Sequence, residues 1–158
     1  MNQPLFDLDL KRVTRENYIT GKAAINFPLP GLTTGGWYFL SYWDREAGVC
    51  KVSLAGIHLP DTSAFFGDAG VLDVTEVLAE RGWSSGREIW MADHFRAAAD
   101  MVVKWALSES QHCSVEIDDW FPSKADRQRF LDLVEFAKPQ LHAVGRRDKV
   151  ELWLATQS

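Results

Sequence analysis

Cysteine is scarce in this chain. Only Cys50 and Cys113 occur in 158 residues, far apart in sequence. A secreted disulfide framework packs more cysteines into a shorter chain, so both thiols are expected to be free and buried among apolar neighbours. Long apolar runs are missing too, and none approaches the ~18 residues of a membrane-spanning helix. The opening "MNQPLFDLDLKR" carries acids where a secretory signal needs a basic start and an apolar stretch. Positive charge is in deficit, with 17 Lys and Arg against 22 Asp and Glu, a net charge of −5. Such a chain repels phosphate backbones unless its basic residues cluster. The densest basic stretch, Arg146, Arg147 and Lys149, is broken by Asp148 and reads as a solvated turn. These absences point to a soluble, cytoplasmic chain with no membrane or nucleic-acid partner. They imply no cofactor, since neither a P-loop nor a G-x-G-x-x-G pattern is present. A G-x-S-x-G elbow is also lacking.

What is present resembles an ordinary folded protein: 46% apolar and 25% charged residues. No repeat, low-complexity tract or long linker divides the chain, so residues 1–158 are expected to form one domain. The first half is strand-rich. "FDLDL" (Phe6 to Leu10) alternates with the period of a half-buried strand, and "KAAIN" (Lys22 to Asn26) suits a short strand or a helical turn. "WYFLSYW" (Trp37 to Trp43) and "VCKVSLAGI" (Val49 to Ile57) flank the polar "DREAG" and predict a hairpin. Residues 59–70 read as a loop.

The second half is helix-rich. Asp73, with Glu76 three residues on, marks a helix start, and Gly82 marks its end. "REIWM" (Arg87 to Met91) suits a short strand. The longest helix is predicted from about Ala92 to Ser110, capped by Asp93, with Phe95, Ala98, Ala99, Val102 and Ala106 at helical spacing. "CSVEID" (Cys113 to Asp118) predicts a strand. Ser123 then caps a third helix, with Phe130, Leu133, Val134 and Ala137 as its buried stripe and Pro139 as its stop. "LHAV", the turn "GRRD" and "KVELWLAT" predict a closing hairpin. The order favours an α+β fold, a mostly antiparallel sheet with about three helices on one face.

Three candidate sites emerge. The stretch Thr33, Thr34, Gly35, Gly36 precedes the aromatic run, but it leads into a strand rather than a helix N-terminus. That fits an entry loop better than a phosphate cradle. Seven tryptophans are many for a chain this length, and Trp37 and Trp43 share a strand face. Partly exposed indoles favour recognition, so the leading expectation is a non-catalytic protein that engages a protein partner. Its binding residues would be Thr33, Thr34, Gly35, Gly36, Trp37 and Trp43, and self-association is an available form of that contact. The alternative is a metal-dependent hydrolase with His58, Asp118 and Asp119 as ligands, because strand-end carboxylates hold Mg²⁺ or Mn²⁺. His58 with Asp61 offers a base and its orienting carboxylate. His94 is expected to be an exposed first-turn residue. A further alternative is a small-molecule sensor with its pocket between sheet and helices.

Overall fold

A four-stranded open sheet supports one side of the molecule. The computed structural model describes residues 10–29, 43–44, 49–50 and 52–157. The stretch Thr33–Trp37 and most of the strand "FDLDL" lie outside these residues. In the sheet, β1 (Ile19–Thr20) pairs antiparallel with β4 (Ser53–Leu54) and parallel with β6 (Trp90–Ala92). The edge strand β5 (Val71–Asp73) pairs antiparallel with β6, giving the order β4-β1-β6-β5. A separate ribbon joins β2 (Trp43–Asp44) to β3 (Val49–Cys50), the core of the expected hairpin. The expected second hairpin strand is thus divided between two sheets.

Seven helices are described, not about three. The short ones are α1 (Lys22–Ile25), α2 (Ser63–Phe66), α3 (Thr75–Glu80) and α5 (Ile117–Trp120). The long ones are α4 (His94–Leu107), α6 (Lys124–Ala143) and α7 (Arg147–Ala155). The fold is a mixed α and β one, its sheet mostly antiparallel as expected. Among the described residues no helix is long and apolar enough to cross a membrane.

The predicted start signals work where a side chain meets a free backbone N–H. Asp93 accepts from Arg96 N at 2.7 Å, and Ser123 Oγ accepts from Asp126 N at 3.1 Å. Asp73 closes β5 instead of capping α3, and its carboxylate accepts from the N–H and hydroxyl of Thr75.

Two expectations fail in the last third. "CSVEID" forms no strand. Cys113, Val115 and Ile117 are buried while Ser114 and Glu116 are exposed. Residues 113–116 have no regular structure and Ile117 already opens α5, so the alternation has no ladder partner among the described residues. The closing hairpin is helical: α6 runs through Pro139, Gly145 turns the chain at φ 75°, and α7 follows. Val150 and Trp153 are buried at helical spacing, and Leu152 is 72% exposed. Arg147 and Glu151 pair one turn apart at 3.1 Å.

The apolar core falls into two adjoining clusters. One joins the sheet to α1 and α3 through Ile19, Leu54, Leu78, Trp83 and Met91. The other gathers Phe95, Phe121 and Phe130, stacked with centroids 5.2 and 5.0 Å apart, under α4, α6 and α7. Ile25 touches both. Helix α4 meets β1, β6, α1, α6 and α7, and is buried on nearly every side.

Candidate functional site

Helix α4 organises two polar regions. Near its N-terminus lies a sealed cluster. Arg96 and Asp100, one turn apart, are each 0% exposed and form an ion pair at 2.9 Å. A carboxylate has about four lone-pair positions, and four donors reach this one. Arg96 Nε and Thr62 Oγ1 donate to Oδ1, at 2.9 and 2.5 Å. Tyr18 OH and Thr20 Oγ1 donate to Oδ2, each at 2.7 Å. The guanidinium also donates to Ala69 O and Thr62 Oγ1, and stands 5.0 Å from the Phe66 ring centroid. Burial, then the Asp100 charge, pushes the Tyr18 phenol well above its ordinary range, so it stays a donor. The cluster ties β1, the segment before α2 and α4 together and leaves no obvious acceptor for a ligand.

Gly70 lets this cluster close. Its φ is 74°, and a Cβ there would stand 2.7 Å from both Arg96 Cβ and Asp93 Oδ1. Its carbonyl accepts from Asp93 N at 2.7 Å. Burial raises the Asp93 carboxyl above the usual range, against the opposing Arg96 N–H. His94 is 1% exposed, not a solvated first-turn residue. Its Nε2 lies 2.7 Å from Phe27 O, and since a carbonyl only accepts, Nε2 carries the proton. Burial depresses the His94 pKa.

The second region lies toward the C-terminal end of α4. Met101, Lys104, Trp105 and Ser108 follow the i, i+3, i+4, i+7 spacing of one helix face. They form one wall of an open groove of about 570 Å³. Gly21, Lys22, Ser53 and Leu59, from the ends of β1 and β4 and the following turn, form the other. Ser110, His112 and Ser114 form its rim. Gly21 has φ 68° and ψ −147°, a region open essentially to glycine, and a Cβ there would press on Leu59 at 3.4 Å. A smaller hollow of about 380 Å³ lies on the far side of Trp105, toward Trp153 and Lys149.

Charge separates this groove from the cluster. Its lining holds Lys22, Lys104 and His112, and no carboxylate. Neither lysine has an ion-pair partner among the described residues. The α4 C-terminus beside it is neutralised from behind. Lys149 Nζ donates to Trp105 O and Ser108 O at 3.0 and 2.8 Å. Trp105 is 9% exposed, and its Nε1 is the one buried polar side-chain atom without a hydrogen-bond partner among the described residues.

The residues singled out from sequence lie elsewhere. Thr33, Thr34, Gly35, Gly36 and Trp37 are outside the described residues. Trp43 is 8% exposed, donates from Nε1 to Ala23 O at 2.6 Å, and meets Phe27 and Trp83 edge-on. Its indole anchors the ribbon to the core. Of the other described tryptophans, Trp83, Trp105 and Trp153 are buried, and Trp90 and Trp120 are half-buried. His58 Nδ1 accepts from Leu54 N at 2.9 Å, while Asp61 accepts from Ser63 N, so each serves its own turn. Asp118 and Asp119 are exposed in the first turn of α5. Among the described residues no group of three His, Cys, Asp or Glu side chains is placed to hold a metal ion.

None of the groove's lining residues was singled out from sequence, because they come from four separated segments. The one local signal was the lysine, aromatic and serine spacing on α4. No family model matches this chain, and no curated protein or solved structure matches it.

Proposed function

We propose that this protein is a small-molecule-binding domain whose ligand lies in the groove between the four-stranded sheet and α4. One observation supports the reading: an open hollow of about 570 Å³, within the range of ligand sites, lined by polar side chains with few internal partners. The groove holds no carboxylate to act as a general base, and the hydroxyls of Ser108 and Ser110 already engage Trp105 O and the His112 backbone. No hydroxyl or carboxylate among the described residues is hydrogen-bonded to the side chain of His112, the groove's one imidazole, so the lining supports binding ahead of catalysis.

A thermal-shift panel of nucleotides, sugar derivatives and amino acids tests the reading. A ligand at 100 times its Kd stabilises the folded state by about 2.7 kcal/mol. Ser114→Trp places an indole at the exposed rim and should abolish that shift without altering the unliganded midpoint. A panel that shifts both proteins equally places the ligand elsewhere.

The protein-partner reading is a second one. It is supported by the β2–β3 ribbon, which stands apart from the main sheet among the described residues. Unpaired strand edges take up extended segments of other chains. Trp43 would then position the ribbon, and Thr33, Thr34, Gly35, Gly36 and Trp37 would make the contact. Trp37→Ala, folded and unable to capture a partner that the parent chain retains, is the expected result. Undiminished capture removes the idea.

A further inference from the structure

Building on the groove's assignment as a ligand site, we infer that its ligand is a phosphate-bearing small molecule. The groove presents donors in excess of acceptors. Lys22 and Lys104 bring ammonium groups, and His112 adds an imidazole. Ser53 and Ser114 bring hydroxyls with no hydrogen-bond partner among the described residues. A ligand that satisfies such a lining must be rich in acceptors and negatively charged, and a phosphate group offers three acceptor oxygens and up to two charges.

The placement of the cations is informative because the chain as a whole carries a net charge of −5. Elsewhere on α4 and α7 the cations are bound: Arg96 to Asp100, Arg147 to Glu151, and Lys149 to carbonyls. Lys22 and Lys104 have no ion-pair partner among the described residues, although both line one hollow. The partial negative charge of a helix C-terminus opposes an anion nearby. Here the Lys149 ammonium offsets it, and also stands 4.6 Å from the centre of the Trp105 ring. Trp105 contributes a second, independent sign. It is nine-tenths buried in the wall that two hollows share, and its Nε1–H lacks an acceptor among the described residues.

The test is a titration of the ¹⁵N-labelled full chain followed by its indole N–H signals, with Trp105 assigned from Trp105→Phe. The probes are adenosine monophosphate, glucose 6-phosphate and inorganic pyrophosphate, with adenosine, glucose and citrate as unphosphorylated counterparts. At least one phosphorylated probe should move the Trp105 signal saturably. Its affinity should drop about tenfold or more in Lys104→Gln and in Lys22→Gln, and weaken as salt rises. Both lysines are exposed, so the variants should fold as the parent does. If adenosine, glucose or citrate moves Trp105 with equal affinity, and both lysine variants bind as the parent, the groove remains a ligand site and the phosphate assignment is overturned. If no phosphorylated compound among the probes or the thermal-shift panel moves Trp105, yet unphosphorylated ones do, the assignment falls in the same way. Silence of Trp105 to every compound overturns the groove reading itself.

Discussion

The two polar regions of α4 use the same chemistry to opposite ends. At Arg96 and Asp100 every charge meets a partner, and the side chains are sealed from water. At Lys22 and Lys104 the charges are exposed, without an ion-pair partner among the described residues, and line a hollow. A buried pair that is fully hydrogen-bonded has no capacity left for a ligand, and losing one member leaves the other stranded in a medium of low polarity. Exposed cations cost the fold little when removed. The comparison therefore separates residues whose loss should unfold the chain from those whose loss should silence it.

The largest effect is expected at the sealed end. Asp100→Asn replaces a four-fold acceptor with a group that must present N–H to hydroxyls already donating. Urea unfolding should show a loss of about 3–5 kcal/mol. The double change Arg96→Met with Asp100→Leu removes the charges together, yet should not restore stability, because Tyr18, Thr20 and Thr62 then lose their shared acceptor. A recovered midpoint would show that those hydroxyls find other partners.

Gly70→Ala comes next. The strained φ and the approach to Arg96 and Asp93 act together, and a cost of about 1–3 kcal/mol is expected from the backbone alone. An unchanged urea midpoint would show that β5 shifts to make room.

The pH response is smaller and has a worked sign. The folded His94 pKa lies below the ordinary 6.5, so on acidification the unfolded chain takes up this proton first. Stability should fall as pH drops through 6.5 toward the lowered value. Asp93, raised above 3.8, works in the other direction at more acidic pH, where the folded chain binds the proton more readily. Comparing urea midpoints at pH 7.5 and 5.5 should show the first effect, and His94→Gln should flatten it. An equal slope in that variant would assign the response to other groups.

The smallest effect concerns Cys113. Burial pushes its thiol up to about 11, so almost no thiolate exists at neutral pH. In a Cys50→Ser background, native Cys113 should react with a thiol reagent far more slowly than after unfolding. Equal rates would place that segment in frequent local opening.

Much of the fold was legible because its signals are local. The caps at Asp93 and Ser123, and the apolar spacing of α4 and α6, are one-dimensional patterns that tertiary packing then used. The errors came where two periods coincide. Val150 and Trp153 satisfy a helix, while Val150, Leu152 and Leu154 satisfy a strand, and in the helix Trp153 packs against Trp105. Cys113, Val115 and Ile117 alternate, yet alternation alone cannot supply a partner strand. Pro139 stops a helix only when its lost hydrogen bond is not outweighed, and Leu141 beyond it is 1% exposed. The site was less legible than the fold. Trp43 drew notice through composition, but a large ring near a small core is more useful inside it. The groove joins Gly21, Ser53, Lys104 and His112 across some ninety residues of sequence, and no local pattern encodes that meeting.

The most direct measurement sets binding and stability side by side in Lys104→Gln and Asp100→Asn, using the tightest phosphorylated probe and urea unfolding. Lys104→Gln should keep its midpoint and lose about tenfold or more in affinity. Asp100→Asn should lose several kcal/mol of stability while its remaining folded fraction still binds. Full affinity in a well-folded Lys104→Gln would contradict the division of labour along α4.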